Sequence, residues 1–315
     1  MKDMKNIRVG LLHHGNDEEV WGSVITTYYL EKAFQRLGCK TWRISVTMHQ
    51  DYPKLLKENT DLIICEGVPE WQIPKGVWDT TDVKIFWWMS DLFYDLNTVS
   101  ESSFDAVATN SALWEILREK GKISRRIDLA VDKDFAKNIT KKREYESDFV
   151  YIGNYPHKSK EQMELLFKGA AKNGTLAIWG TGWDESPYGE FYKGVLPLDD
   201  IPAVYNSSRF ALMLTEERQK NRGMINNRVY EVLGSGCCPI CEEYPTLKES
   251  DMGRFIHFVR SEEDIANLIK FDGNSECKQL KAEAQKYVIE NHNYDIRANI
   301  FIELYKEVIE KRQGH

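Results

Sequence analysis

Residues 226 to 240 read NNRVYEVLGSGCCPI, and this stretch decides how the chain is read. Asn226 and Asn227 precede a short apolar turn, Gly234 and Gly236 close it, and an apolar run starts at Cys237. An asparagine side chain can accept from the unsatisfied N–H groups of a first helical turn, and glycine is the usual residue just past a helix. The pattern is therefore helix, glycine stop, strand, the repeating half-unit of an α/β protein. Arg228 and Glu231 fall on the first turns of that helix. Two accounts of them stay open. On the first, Glu231 complements the helix dipole of a surface helix. Alternatively, the helix start holds a charged, hydroxylated ligand: guanidinium grips phosphate in a two-pronged way, and a carboxylate suits the paired hydroxyls of a ribose.

Working outward, the same alternation continues. Residues 7–13 (IRVGLLH), 40–46 (KTWRISV), 60–67 (TDLIICEG), 83–91 (VKIFWWMSD) and 104–110 (FDAVATN) read as strands, with a further one in 123–132. A near-continuous apolar run is the mark of a strand covered on both faces, as in a parallel sheet with helices on either side. Residues 23–37 carry a helical period, with Ser23 as a candidate N-cap and Gly38 at the stop. The charged, weakly periodic stretch 133–146 reads as a linker, after which the plan restarts at DFVYIGNY. Strands follow at TLAIWGTG, YKGVL, RFALMLT, CCPICEE and FIHFV, and helices over 275–291 and 294–311 finish the chain. The expected fold is α/β: two Rossmann-like doubly wound domains in tandem with a cleft between them. The expected division is 1–140, 141–293 and a terminal helical segment 294–315 packing back towards the first domain. In such sheets ligands bind at the loops beyond the strand C-termini.

The bulk numbers fit this plan. A chain of 315 residues exceeds most single cores, and 42% hydrophobic residues supply enough for two. A formal charge of −7 disfavours general binding to a nucleic-acid backbone. No apolar run reaches the roughly 20 residues of a membrane helix. No secretory leader pattern opens the sequence, so the expectation is a reduced, cytoplasmic protein. Six cysteines are scattered, and Cys237, Cys238 and Cys241 lack a second Cys or His pair at zinc spacing. They read as buried thiols of a core strand.

Several loops after strands have chemical content. YIGNYPHKSKEQ offers Gly153 and Asn154, with Lys158 near a helix start, an arrangement suited to a diphosphate or equally to a plain turn. IWGTGW places Gly180 in a GxG that lacks the longer dinucleotide fingerprint. GVLPLDDIPAVY carries Val195 and Leu196, whose main chain can meet a flat base edge or merely connect two elements. Arg222, Asn227 and Arg228 gather amides and guanidinium before Glu231. In the first half, His14 and Asp91 end strands, where a base or a phosphate contact could sit. Trp87 and Trp88 read as core.

In order, DFVYIGN, IWGTGW, YKGVLPLDDIPAVYNSSRFALMLT and NNRVYEVLGSGCCPI resemble the second half of glycosyltransferases of the two-Rossmann GT-B fold. They look most like the CgeB-like, spore-maturation branch, over about residues 147–300. The resemblance implies a nucleotide-diphosphate-sugar donor, with UDP the leading nucleotide, held by the second domain. It implies Glu231 on the ribose, Gly153 with Lys158 near the diphosphate, Val195 and Leu196 at the base, and Arg228 beside the phosphates. Asn154, Gly180, Arg222 and Asn227 complete the expected donor set, and Asp91 and His14 are the catalytic candidates. One departure stands out. Where many retaining members carry a second glutamate eight residues before the ribose one, this chain has Gly223. No DxD carboxylate pair appears where a metal would bridge the diphosphate in the other main transferase fold, so the implied transfer needs neither metal nor cofactor, basic residues and a helix start neutralising the leaving group.

The implied function is transfer of a sugar to an acceptor hydroxyl of an unknown glycan, protein or small molecule. A non-catalytic two-domain solute- or nucleotide-binding protein and a DNA-base glycosyltransferase are the rival readings, and the acidic balance makes nucleic acid an unlikely partner. For the donor role Glu231 must face a ligand, neither sealed inside nor turned to bulk water.

Overall fold

The computed structural model describes residues 7–15, 22–47, 60–88, 95–135, 137, 139–155, 160–271 and 275–314. The chain forms two compact units, residues 1–129 with 294–315, and residues 130–293.

The first unit is built on six parallel strands: β1 (Arg8–His13), β2 (Lys40–Ser45), β3 (Thr60–Glu66), β4 (Thr81–Trp88), β5 (Ala106–Thr109) and β6 (Ile123–Arg126). Their order is β2-β1-β3-β4-β5-β6. Every residue of β3 is buried, as its continuous apolar run demands for a strand covered on both faces. Trp87 and Trp88 are buried as expected of core, and the Trp87 indole donates to the Ile127 carbonyl at 3.1 Å. Ser23 does not cap its helix: its hydroxyl donates to the His14 carbonyl at 2.7 Å and ties the helix to the end of β1. The terminal helix Tyr294–Gln313 packs on this unit, with Phe301 edge-on to Trp87 and Arg297 donating to the carbonyls of Asp128 and Leu129.

The second unit repeats the architecture with β7 (Ser147–Ile152), β8 (Leu176–Trp179), β9 (Tyr192–Gly194), β10 (Ser208–Met213), β11 (Cys238–Glu242) and β12 (His257–Val259). The order is β12-β11-β10-β7-β8-β9, all parallel. Cys237, Cys238 and Cys241 are buried thiols of this sheet. The stretch read as a linker is in part docked here. Lys142 and Tyr145 both reach Asp200, at 2.6 and 3.0 Å, and the Lys142 N–H donates to the Ser207 hydroxyl.

Strand order locates the binding end. From β7 the chain adds β8 and β9 on one side, then returns to add β10, β11 and β12 on the other. The strand order thus reverses between β7 and β10, and such a switch point, at the strand C-termini, is the usual ligand position in open α/β sheets. The helix after β7, residues 160–173, contains a π-helical turn at Glu164–Lys168.

Candidate donor site of the second unit

The loops after β7, β8 and β9 are bound to one another through backbone that only glycine permits. The Gly153 N–H donates to the Trp179 carbonyl at 2.8 Å, Tyr155 N–H to Thr181 at 3.0 Å, and Gly180 N–H to Gly194 at 2.9 Å. The Asn154 side chain accepts from Thr181 N–H at 2.9 Å, and the Trp183 indole donates to the Gly153 carbonyl at 2.6 Å. Gly180 has φ 138° and a Cβ there would strike the Gly153 carbonyl. A Cβ at Gly153 would strike the Arg228 guanidinium and come within 2.7 Å of the Tyr151 hydroxyl. The two glycines thus mark close approaches of chain to chain.

The helix Asn227–Gly234 is fixed to the end of β10. Asn226 is its N-cap: the side-chain oxygen accepts from Arg228 N–H at 3.0 Å, and the amide nitrogen lies 3.4 Å from both the Leu214 carbonyl and the Thr215 hydroxyl. The buried Gln162 amide clamps the Thr215 backbone, donating to its carbonyl at 2.9 Å and accepting from its N–H at 3.2 Å. That clamp joins the helix after β7 to the loop after β10.

Arg228 and Glu231 sit three apart on one helix, a spacing that allows an ion pair. They do not form one. Arg228 turns instead to β7, its Nε donating to the Ile152 carbonyl at 2.7 Å and its guanidinium lying 5.2 Å from the Tyr151 ring centre. Its terminal nitrogens have no hydrogen-bond partner among the described residues, and the side chain keeps partial exposure. Glu231 turns to Asn227, whose amide donates to Oε1 at 2.8 Å. The sequence reading asked for a ligand-facing carboxylate, and here the structure departs from it: Glu231 is only 3% exposed. Asn227, one turn earlier and half-buried, lies against it. Burial pushes the Glu231 carboxyl up to about 7, against the opposing pull of Asn227 and of the Arg228 charge. A buried carboxylate with no cation on it and a guanidinium with no carboxylate are the perturbed, unspent groups that mark binding sites.

The remaining predicted residues fall as follows. Leu196 is buried at 4% exposure, whereas Val195 is exposed at 45% on the same loop, an apolar side chain set in water beside a glycine turn. Arg222 is exposed at the C-cap of the short helix Glu217–Asn221. Lys158 and Asp91 lie outside the described residues. His14 directly follows β1, half-buried, with Nε2 3.3 Å from the Gly67 carbonyl, and burial lowers its pKa. Among the described residues no group of three or more His, Cys, Asp or Glu is placed to hold a metal ion. Sequence reasoning did not single out Tyr151, Gln162, Thr215 or Trp183. Tyr151 sits inside an apolar strand run and gives no signal apart from core, and the Gln162 clamp joins residues 53 apart.

Residues 160–303 match the model of a family described as glycosyl transferase-like. No curated protein matches the chain. Among solved structures, an alpha-glucosyltransferase in complex with UDP and a 13-mer DNA containing a HMU base is similar at TM-score 0.67 and 10% identity, over 96% of this chain and 100% of that one. AviGT4, a glycosyltransferase involved in Avilamycin A biosynthesis, is similar at TM-score 0.59 and 12% identity, over 96% and 98%. A T4 phage BGT mutant in complex with UDP-glucose is similar at TM-score 0.61 and 13% identity, over 95% and 99%. The two six-stranded parallel sheets are thus those of the GT-B glycosyltransferase fold.

Proposed function

We propose that this chain is a glycosyltransferase that moves a sugar from a nucleoside-diphosphate sugar, with UDP the leading nucleotide, to an acceptor hydroxyl. One observation carries the reading. Arg228 and Glu231 leave each other unpaired on a helix that follows β10 at the switch point between β7 and β10, with Arg228 beside the Gly153 turn. Guanidinium and helix start suit the diphosphate, and the carboxylate suits the ribose hydroxyls. Because Glu231 is covered, the Asn227 amide holds the place of a hydroxyl donor on Oε1, and a ribose takes that place when Asn227 turns aside. The exposed Val195 loop is assigned to the base.

In the reaction the acceptor oxygen bonds to the anomeric carbon, the bond from that carbon to the diphosphate breaks, and the acceptor proton passes to a base. Negative charge grows on the departing diphosphate, where Arg228 and the helix dipole stabilise it without metal or cofactor. His14 and Asp91 are the proposed catalytic bases. Burial favours the neutral imidazole of His14, and with Nε2–H donating to Gly67 the Nδ1 lone pair is the proton acceptor. The motif order over residues 147–300 supports a CgeB-like affiliation. The free buried thiols suit a reducing, cytoplasmic setting.

A second reading concerns the acceptor. Solved relatives include glucosyltransferases bound to DNA, which favours a hydroxylated DNA base as acceptor and removes the support for treating nucleic acid as an unlikely partner. A net charge of −7 speaks only to the whole surface, and a local basic track is compatible with it. The test is a panel of sugar nucleotides incubated with the purified chain, with and without hydroxymethylated DNA, read by mass spectrometry. Slow donor hydrolysis or a product heavier by one sugar is expected. Stabilisation against heat by free sugars and not by any nucleotide would point to a non-catalytic binding protein instead.

A further inference from the structure

The Tyr151 ring is held rigidly behind the Gly153 turn. Phe167 and Trp183 pack against it, with ring centres 5.2 and 5.5 Å away. Trp183 is itself fixed by its 2.6 Å hydrogen bond to the Gly153 carbonyl. Tyr151 is fully buried, yet its hydroxyl has no hydrogen-bond partner, so it is not kept for a hydrogen bond within the chain. Its ring instead offers a surface to the Arg228 guanidinium, 5.2 Å from the ring centre. The electron-rich face of an aromatic ring attracts a cation and leaves the in-plane N–H donors free. Arg228 Nε is meanwhile anchored on the Ile152 carbonyl, the residue next to Tyr151. Gly153, next again, lacks the Cβ that would drive the guanidinium out. Three consecutive residues of β7 and its turn thus supply a platform, an anchor and a clearance for one side chain from the helix Asn227–Gly234.

We infer that Tyr151 is a positioning residue for phosphate recognition: its ring, with the Ile152 carbonyl and the missing Cβ of Gly153, presents the terminal N–H groups of Arg228 to the diphosphate of a nucleotide. The inference rests on the proposed donor site and goes beyond it, because Tyr151 itself touches no ligand. A side chain that aims Arg228 affects the phosphate-dependent part of binding alone. A side chain that merely fills the core affects folding, and with it every ligand together.

The experiment is calorimetric titration of UDP and of uridine into wild type, Tyr151→Leu and Tyr151→Phe. UDP affinity is expected to fall about tenfold in Tyr151→Leu, as loss of a desolvated cation–aromatic contact implies. Uridine affinity should stay within about twofold, and Tyr151→Phe should restore UDP affinity because it keeps the ring. Tyr151→Met, nearer in volume and equally without a ring, carries the test if the leucine variant does not fold. Equal losses for UDP and uridine, or no loss for either, overturn the inference while leaving the donor site standing. Failure of wild type to bind UDP at all removes the donor site, and the inference falls with it.

Discussion

The two sheets end in opposite ways. In the first, the switch point between β1 and β3 is occupied by the chain's own groups: His14 meets the Gly67 carbonyl, and buried His13 meets the His14 carbonyl at 3.0 Å and Arg43 at 3.0 Å. In the second, the switch point between β7 and β10 is bordered by Arg228 and Glu231, which decline each other and meet only neutral partners, a carbonyl and an amide. Equal topology therefore does not mean equal readiness to bind. What distinguishes the second end is charge left over after the local hydrogen bonds are counted.

The largest effect should come from closing the gap that glycine leaves. Gly153→Val would drive a branched side chain into the Arg228 guanidinium and the Tyr151 hydroxyl. We expect a loss of about 3 kcal/mol in chemical denaturation and no detectable thermal stabilisation by UDP. Near-normal stability and UDP response would show that the second switch point is no tighter than the first.

Next comes Glu231→Gln, which separates stability from binding. The folded-state carboxyl pKa of about 7 lies above its ordinary value of 4.5. The folded form thus holds its proton more tightly than the unfolded form. The associated stability is present below about pH 4.5 and is lost as pH rises through about 7. At pH 8 the ligand-free glutamine variant should exceed wild type by about 2 kcal/mol in urea unfolding, and the pH-dependent decline between those values should flatten. Parallel pH profiles would mean that Glu231 is paired in solution, as the histidines of the first sheet are. UDP affinity in wild type should in turn rise with pH through about 7, as the carboxylate becomes the acceptor.

A smaller effect belongs to Trp183→Phe. Its indole satisfies the Gly153 carbonyl, so the variant should lose about 1–2 kcal/mol of stability in urea unfolding. The smallest is expected from His14→Gln, which retains a donor towards Gly67: UDP affinity should stay within about twofold, because the residue belongs to the first sheet. A large loss of UDP affinity there would break the contrast between the two ends.

Much of this was legible in advance, for definite reasons. Parallel strands buried on both faces must be apolar along their length, so β3, β4, β7 and β10 stand out as runs. The helix at 227 was legible because a cap and a glycine stop are local chemistry. Gly153 and Gly180 drew notice as glycines after strands, though not for the contacts that require them. What stayed hidden was long-range. Arg228 meets a carbonyl 76 residues away, and no local pattern says that it turns there and not to Glu231. The depth of Glu231 was hidden too, since it depends on Asn227 folding over it. Tyr151 was invisible because an aromatic in a buried strand is indistinguishable from any other core residue until its neighbour on another element is known.

The central claim is that the second switch point grips a nucleotide through its two unspent charges. Calorimetric titration of UDP into wild type and Glu231→Ala at pH 8 tests it most directly. The account predicts binding by wild type and a loss of about 1–3 kcal/mol in the variant, from ribose hydroxyls left without their acceptor. Identical affinities, with both proteins folded, would contradict it.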